Sequence, residues 1–235
     1  MIKKAMILAA GFGKRIHPIT LHTPKPLLKI GKETLLSNTI KFLKSYGVTQ
    51  VVINVHYLGQ QIIDYISQNK FDLKINTIVE KDKILDTGGG ILNAIDFFTD
   101  SPFLVINPDT LWNKKYLGEL KLIEELFFEK KDNKCTLLVV NKKKSFDKLM
   151  KGDFELKNNI IRRDIKSNLE YIYTGLQIVQ PNLFSNLKSE VFSINDIWNV
   201  LIKNNNLLGF ESKNDFYHVS TLDVYNNLLE RKITH

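Results

Sequence analysis

Residues 8–26 hold the densest set of groups suited to phosphate: Gly11, Gly13, Arg15 and Lys25. They follow an apolar run at 5–10 that ends in Leu8, Ala9 and Ala10. Small side chains there let a flat base and ribose lie against the backbone. Gly11 and Gly13 give access to positive φ and let backbone N–H groups approach phosphate oxygens. The planar fork of Arg15 can bridge two such oxygens. Lys25 sits between Pro24 and Pro26, in a segment with little conformational freedom, and offers a second cation. A Gly-x-Gly pair taken alone is more often a plain turn. It is not the dinucleotide-binding pattern either, because the third glycine is missing.

Other groups of interest lie further along. Leu85-Asp86-Thr87-Gly88-Gly89-Gly90 precedes a helical pattern, and its glycines could be a flexible entry. Asn107-Pro108-Asp109 follows an apolar run, where an aspartate is commonly a turn former. Gly152-Asp153 reads equally as a surface turn. Ser193 reads as the cap of a helix and nothing more.

The elements that must position these groups can be read from periodicity. Apolar runs at 5–10, 51–55, 73–79 and 103–106 read as buried strands. Helical spacing occupies 35–46, closed by Gly47, and also 60–68 and 90–98. This alternation predicts an α/β fold, a Rossmann-like and mostly parallel sheet with helices on both faces. Ligands bind such sheets at the carboxyl ends of the strands. The glycine loop and Asp109 both fall at that edge. In the second half, 134–140, 159–163 and 171–179 read as strands, and 194–203 and 221–232 as helices. No linker or repeat divides the chain, so a single domain over 1–235 is expected, with a first half at 1–125 and a second at 126–235.

Composition narrows the partners. The 235 residues carry a net charge of +8, with 43% apolar and 25% charged residues. The lysines are spread along the chain, and no basic helix with interleaved aromatics appears, so no nucleic-acid partner is expected. No apolar run has the length to span a membrane, and the apolar start is too short for a signal peptide. The one cysteine, Cys135, can form no disulfide within the chain, which suits a reducing compartment. A soluble cytoplasmic protein is expected.

The whole string from Leu8 to Pro26 resembles the signature of the sugar-1-phosphate nucleotidyltransferases. That signature runs Leu-Ala-Ala-Gly-x-Gly-x-Arg, then Pro-x-Thr, then Pro-Lys-Pro. The Thr-Gly-Gly-Gly form at 87–90 looks most like the short N-acetylmuramate α-1-phosphate uridylyltransferases. The resemblance implies the nucleotide-diphospho-sugar transferase fold, and catalytic roles for Arg15, Lys25 and Asp109. It implies nucleotide contacts at Leu8, Ala9, Ala10, Gly11, Gly13, Glu80, Thr87 and Gly88. It implies sugar-phosphate contacts at Asn107, Asp153, Thr174 and Gly175.

The implied cofactor is Mg²⁺, held by Asp109; one protein carboxylate suffices where phosphates complete the shell. Many members hold a second metal ligand, an Asp, near the end of the chain. Here His218 stands in its place, and imidazole is a poor Mg²⁺ ligand. Three readings are open: Asp109 and phosphates hold the metal alone, His218 contacts phosphate, or activity is weakened. The implied substrates are a nucleoside triphosphate, UTP foremost, and a sugar 1-phosphate, with N-acetylmuramate 1-phosphate foremost. Mannose 1-phosphate with GTP, or phosphocholine with CTP, are the alternatives. The family also raises a homodimer. A non-catalytic nucleotide-binding subunit is the reading from another class, favoured by His218.

Overall fold

The structure, a computed structural model, describes residues 1–99, 101–164, 169–187 and 191–231. The chain opens on β1 (Lys4–Leu8), then a small hairpin of β2 (Lys29–Ile30) and β3 (Glu33–Thr34). Next come α1 (Leu35–Tyr46), β4 (Gln50–Val55), α2 (Gly59–Gln68), β5 (Lys74–Val79), α3 (Asp86–Asn93) and β6 (Phe103–Ile106). The rest is α4 (Lys115–Glu129), β7 (Cys135–Asn141), β8 (Glu155–Lys157), β9 (Ile160–Arg162), β10 (Tyr171–Val179), α5 (Ile194–Lys203), β11 (Leu208–Ser212) and α6 (Leu222–Glu230).

Among the described residues, nine strands form one sheet in the order β5-β4-β1-β6-β10-β7-β11-β9-β8. The first four run parallel. β10 runs antiparallel to both β6 and β7, and β11 is parallel to β7. The result is the expected α/β architecture, a mostly parallel mixed sheet covered on both faces. Side chains alternate across it, as the two-residue repeat of a strand requires. Ala5, Ile7, Val51, Ile53, Leu104 and Ile106 face a core shared with α1, α2 and α4. Met6, Val52, Phe103 and Val105 face the opposite core with α3 and α5. No helix among the described residues is long and apolar enough to cross a membrane.

α1 shows why its ends fall where they do. The Thr34 side chain caps its start by accepting from Ser37 N at 2.9 Å. Gly47, at φ 102°, ends it in the left-handed conformation that favours glycine. α3 departs from expectation: it starts at Asp86, so the glycine triplet lies inside the helix, buried. Close packing explains this. A Cβ on Gly88 would sit 2.3 Å from the Phe192 ring, and one on Gly90 would sit 2.8 Å from Asn54 Nδ2. The last expected helix runs Leu222–Glu230, and Lys232 lies outside the described residues. α4 and β11 are not among the elements expected from the sequence. α4 buries Tyr116, Leu120, Ile123 and Phe127 along one stripe against the sheet.

That stripe gives a stability test. Phe127→Ala should lower the unfolding free energy by about 3–5 kcal/mol, read by urea denaturation. A loss well under 1 kcal/mol would mean that α4 contributes little to the core.

Candidate active site

β1 lies between β4 and β6, and the chain leaves β1 toward β4 before returning to β6. The strand order therefore reverses beside β1, which opens a crevice at the carboxyl ends of the strands. The loops after β1 and β6 line a cleft there of about 410 Å³. Leu8, Ala9, Ala10, Gly11, Gly13, Arg15, Lys25, Thr87, Asn107 and Asp109 all line it.

Two packed layers hold the glycine loop. Gly13 sits at φ 65°, and its carbonyl accepts from Ile16 N at 2.9 Å and Thr20 Oγ1 at 2.9 Å. Gly11 differs from expectation, since its φ is not positive. A Cβ there would meet nothing within 4 Å, so the protein's own packing does not demand a glycine at this position. Beneath the loop, Ile16, Leu28 and Ile30 pack with Val224, Tyr225 and Leu228 of α6 and with Leu111 and Val219. Arg15 is exposed in the cleft, and Lys25 is half-buried.

Leu111 and Val219 flank the chemical centre. The segment around His218 runs antiparallel to that around Thr110, with Val219 N donating to Asp109 O at 2.8 Å. This pairing brings three distant parts of the chain to one carboxylate. Lys25 Nζ donates to Asp109 Oδ2 at 2.5 Å, and His218 Nε2 lies 3.1 Å from the same oxygen. Burial acts to raise the Asp109 pKa, but the Lys25 charge and then His218 outweigh it. The carboxyl is held well below the usual range and stays ionised.

Asp109 Oδ1 is buried with no hydrogen-bond partner. An orphaned carboxylate oxygen suits a hard cation. No group of three or more His, Cys, Asp or Glu among the described residues could form a full protein cage. The donors fit a divalent ion held by one carboxylate and completed by phosphate oxygens and water.

A second cavity of about 300 Å³ continues from the first, sharing Leu8, Asp86, Thr87 and Asn107. Asp153, Tyr173, Gln177 and Trp198 line it. Asp153 Oδ2 accepts from Tyr173 N at 2.9 Å, and burial pushes its carboxyl above the usual range. Thr174 lines neither cavity: its hydroxyl donates to Leu138 O at 2.8 Å. Gly175 also stands back. Its φ is 91°, its carbonyl accepts from Asn107 N at 2.7 Å, and a Cβ would sit 2.9 Å from Asn107 Cβ.

Glu80 and Gly88 likewise lie behind the cleft. Glu80 is buried and accepts from Asn54 Nδ2 at 2.7 Å and Leu85 N at 2.8 Å. Asn54 Oδ1 in turn accepts from Ala9 N at 3.0 Å. Asn54, Lys14, Asp86 and Ser220 line the cleft without having been expected there. Asn54 carried a signal, as a polar residue inside the apolar run Val-Val-Ile-Asn-Val.

A sequence profile for nucleotidyl transferases matches residues 4–147. The chain belongs to the nucleotidyl transferase family. It is 32% identical over 188 residues to the N-acetylmuramate alpha-1-phosphate uridylyltransferase of Neisseria meningitidis serogroup B, covering 79% of each chain. A relative of the same name from Caulobacter vibrioides is 25% identical over 222 residues, covering 92% of this chain and 91% of the relative. A solved UDP-glucose pyrophosphorylase complexed with UDP-glucose superposes with a TM-score of 0.79 at 19% identity, covering 98% of both chains. That likeness shows the fold, the nucleotide-diphospho-sugar transferase fold. In this nucleotidyl transferase the matched region includes the glycine loop, Lys25, Asn54 and Asp109.

The Asn54 bridge is testable in the transferase. Asn54→Ala leaves buried Glu80 short of one donor and Ala9 short of an acceptor. We expect a stability loss of about 1–3 kcal/mol by chemical denaturation, with weaker nucleotide binding. Unchanged binding would mean that the bridge does not set the loop's position.

Proposed function

We propose that this nucleotidyl transferase joins UTP to N-acetylmuramate 1-phosphate, releasing pyrophosphate and forming the UDP-sugar. The observation carrying the reading is the wall of Leu8, Asp86, Thr87 and Asn107 common to the two cavities. Two substrates can meet across it, near Lys25 and Asp109. The two uridylyltransferase relatives support the choice of base and sugar. In this reading a single domain divides its work: residues 1–125 bind the nucleotide and residues 126–235 the sugar phosphate. The setting is peptidoglycan recycling in the cytoplasm.

A phosphate oxygen of the sugar substrate attacks the α-phosphorus, and pyrophosphate leaves in line. The nucleophile is already anionic, so no general base is needed. The protein's task is positioning and charge stabilisation. Leu8, Ala9 and Ala10 give the base and ribose a flat surface, Thr87 flanks it, and Gly88 lets the start of α3 pack close behind it. Gly11 and Gly13 leave room for the triphosphate, and Arg15 takes charge on the departing pyrophosphate. Lys25 exchanges Asp109 for a phosphate oxygen at the reacting centre. Asn107 and Asp153 orient the sugar phosphate. Thr174, Gly175 and Glu80 act from behind, by holding Thr110, Asn107 and Asn54 respectively. Asp109 holds Mg²⁺, which neutralises charge on the phosphates when bound.

The test is pyrophosphate release with Mg²⁺. UTP, GTP, CTP and dTTP are each paired with the 1-phosphates of N-acetylmuramate, N-acetylglucosamine, glucose and mannose, and with phosphocholine. We expect one strong pair, UTP with N-acetylmuramate 1-phosphate. A different strong pair would reassign the substrates. Nucleotide binding without turnover in any pair would favour a non-catalytic subunit.

Lys25→Ala should lower kcat by about a hundredfold or more in the same assay, the scale for losing one preorganised charge at a transition state. Turnover near the wild-type rate would remove Lys25 from the reacting centre.

A further inference from the structure

The second cavity is lined by a cation that phosphate chemistry does not use. Arg163 follows β9, and its guanidinium lies over the Phe154 ring, 4.6 Å from the centroid. Stacking on the ring fixes the plane of the fork. Its Nη1 donates to Asn199 Oδ1 at 2.9 Å and its Nη2 to Asn195 Oδ1 at 2.8 Å. Its Nε donates to Asp153 O at 3.3 Å. Each of these acceptors is neutral. A guanidinium has five N–H donors, so these partners leave one on each terminal nitrogen.

The rest of the wall mixes rings with neutral polar groups, among them Asn107, Gln177 and Ser193. Trp198 Nε1 is committed to Gln177 Oε1 at 3.0 Å, so the indole offers the cavity its apolar face. Tyr173 stands edge-on to that indole, with ring centroids 4.8 Å apart. The hydrogen-bond acceptors of this half-buried cation are all neutral, and the charge that acts on it is the nearby Asp153 carboxylate. Asp153 shares the cavity, and its charge would oppose an anionic ligand. Burial raises the Asp153 carboxyl above the usual range, which lessens that opposition.

We propose that Arg163 pairs with a carboxylate borne by the sugar, so that the second cavity selects acidic sugar 1-phosphates over neutral ones. This rests on reading that cavity as the sugar-phosphate site. The phosphate of such a substrate faces the Lys25 side of the shared wall, and its carboxylate faces Arg163.

N-acetylmuramate 1-phosphate and N-acetylglucosamine 1-phosphate differ only by a lactyl ether carrying a carboxylate, so their ratio isolates the contact. We would measure kcat/KM for both with UTP, for the wild type, Arg163→Gln and Arg163→Lys. Calorimetry of the two sugar phosphates reads the same contrast without turnover. The wild type should favour the acidic sugar, and Arg163→Gln should lower the acidic-to-neutral ratio about tenfold, the scale of one charge-assisted hydrogen bond. Arg163→Lys, which keeps the charge but loses the fork, should fall between. Equal losses on both sugars in Arg163→Gln would make Arg163 a positioning residue for α5 and overturn the proposal. So would a wild type that binds both alike or neither. Preferential binding of the acidic sugar that is lost in Arg163→Gln, without any transfer, would uphold the contact and sink the proposed reaction instead.

Discussion

Three distant segments of the chain meet at one oxygen, Asp109 Oδ2, which Lys25 and His218 both approach. Such a contact is a poor source of stability, because taking charges out of water offsets much of their attraction. Its value lies in position. The glycine loop after β1, the turn after β6 and the stretch before α6 are registered to one another there. Asp109 Oδ1 is left buried and unpartnered, an arrangement that an incoming cation would relieve. The apolar cluster under the loop supplies the rigidity that the ion pair cannot. Ile16, Leu111 and Val219 meet in that cluster, each close in sequence to a group of the site.

A second layer fixes the backbone rather than the charges. Ala9, Asn54 and Glu80 form a hydrogen-bonded line from the glycine loop across β4 to the end of β5. The glycines of α3 let that helix approach Asn54, Glu80 and Phe192 more closely than any side chain would allow. Glycine inside a helix costs about 1 kcal/mol relative to alanine. Here the loss is accepted because the helix start and its Asp86 and Thr87 must lie against the cleft. Thr87 Oγ1 accepts from Ile194 N at 2.9 Å, which ties that wall to the start of α5.

The charges are laid out along one path. Arg15 and Lys25 line the first cavity, and Arg163 lines the second, with Asn107 and Thr87 between them. Carboxylates stand beside these cations, Asp109 next to Lys25 and Asp153 near Arg163, so the path alternates in charge.

Much of this was legible in the sequence, because periodicity and local chemistry act over short distances. The strand at 103–106 and the helices at 35–46 and 194–203 fall where their spacing puts them. Gly11, Gly13, Arg15 and Lys25 share one loop, so their proximity is nearly a local property. The backbone around Gly11 was not legible, since whether a glycine serves φ or space depends on what stands above it. Nor was the retreat of Glu80, Thr174 and Gly175 behind the cleft, because their partners Asn54, Leu138 and Asn107 are far away in the chain. By itself the sequence determined the α/β alternation and the phosphate-handling loop. Only the tertiary structure decided that His218 reaches Asp109 and that Arg163 enters the second cavity, because both contacts require strand pairings that no local pattern encodes.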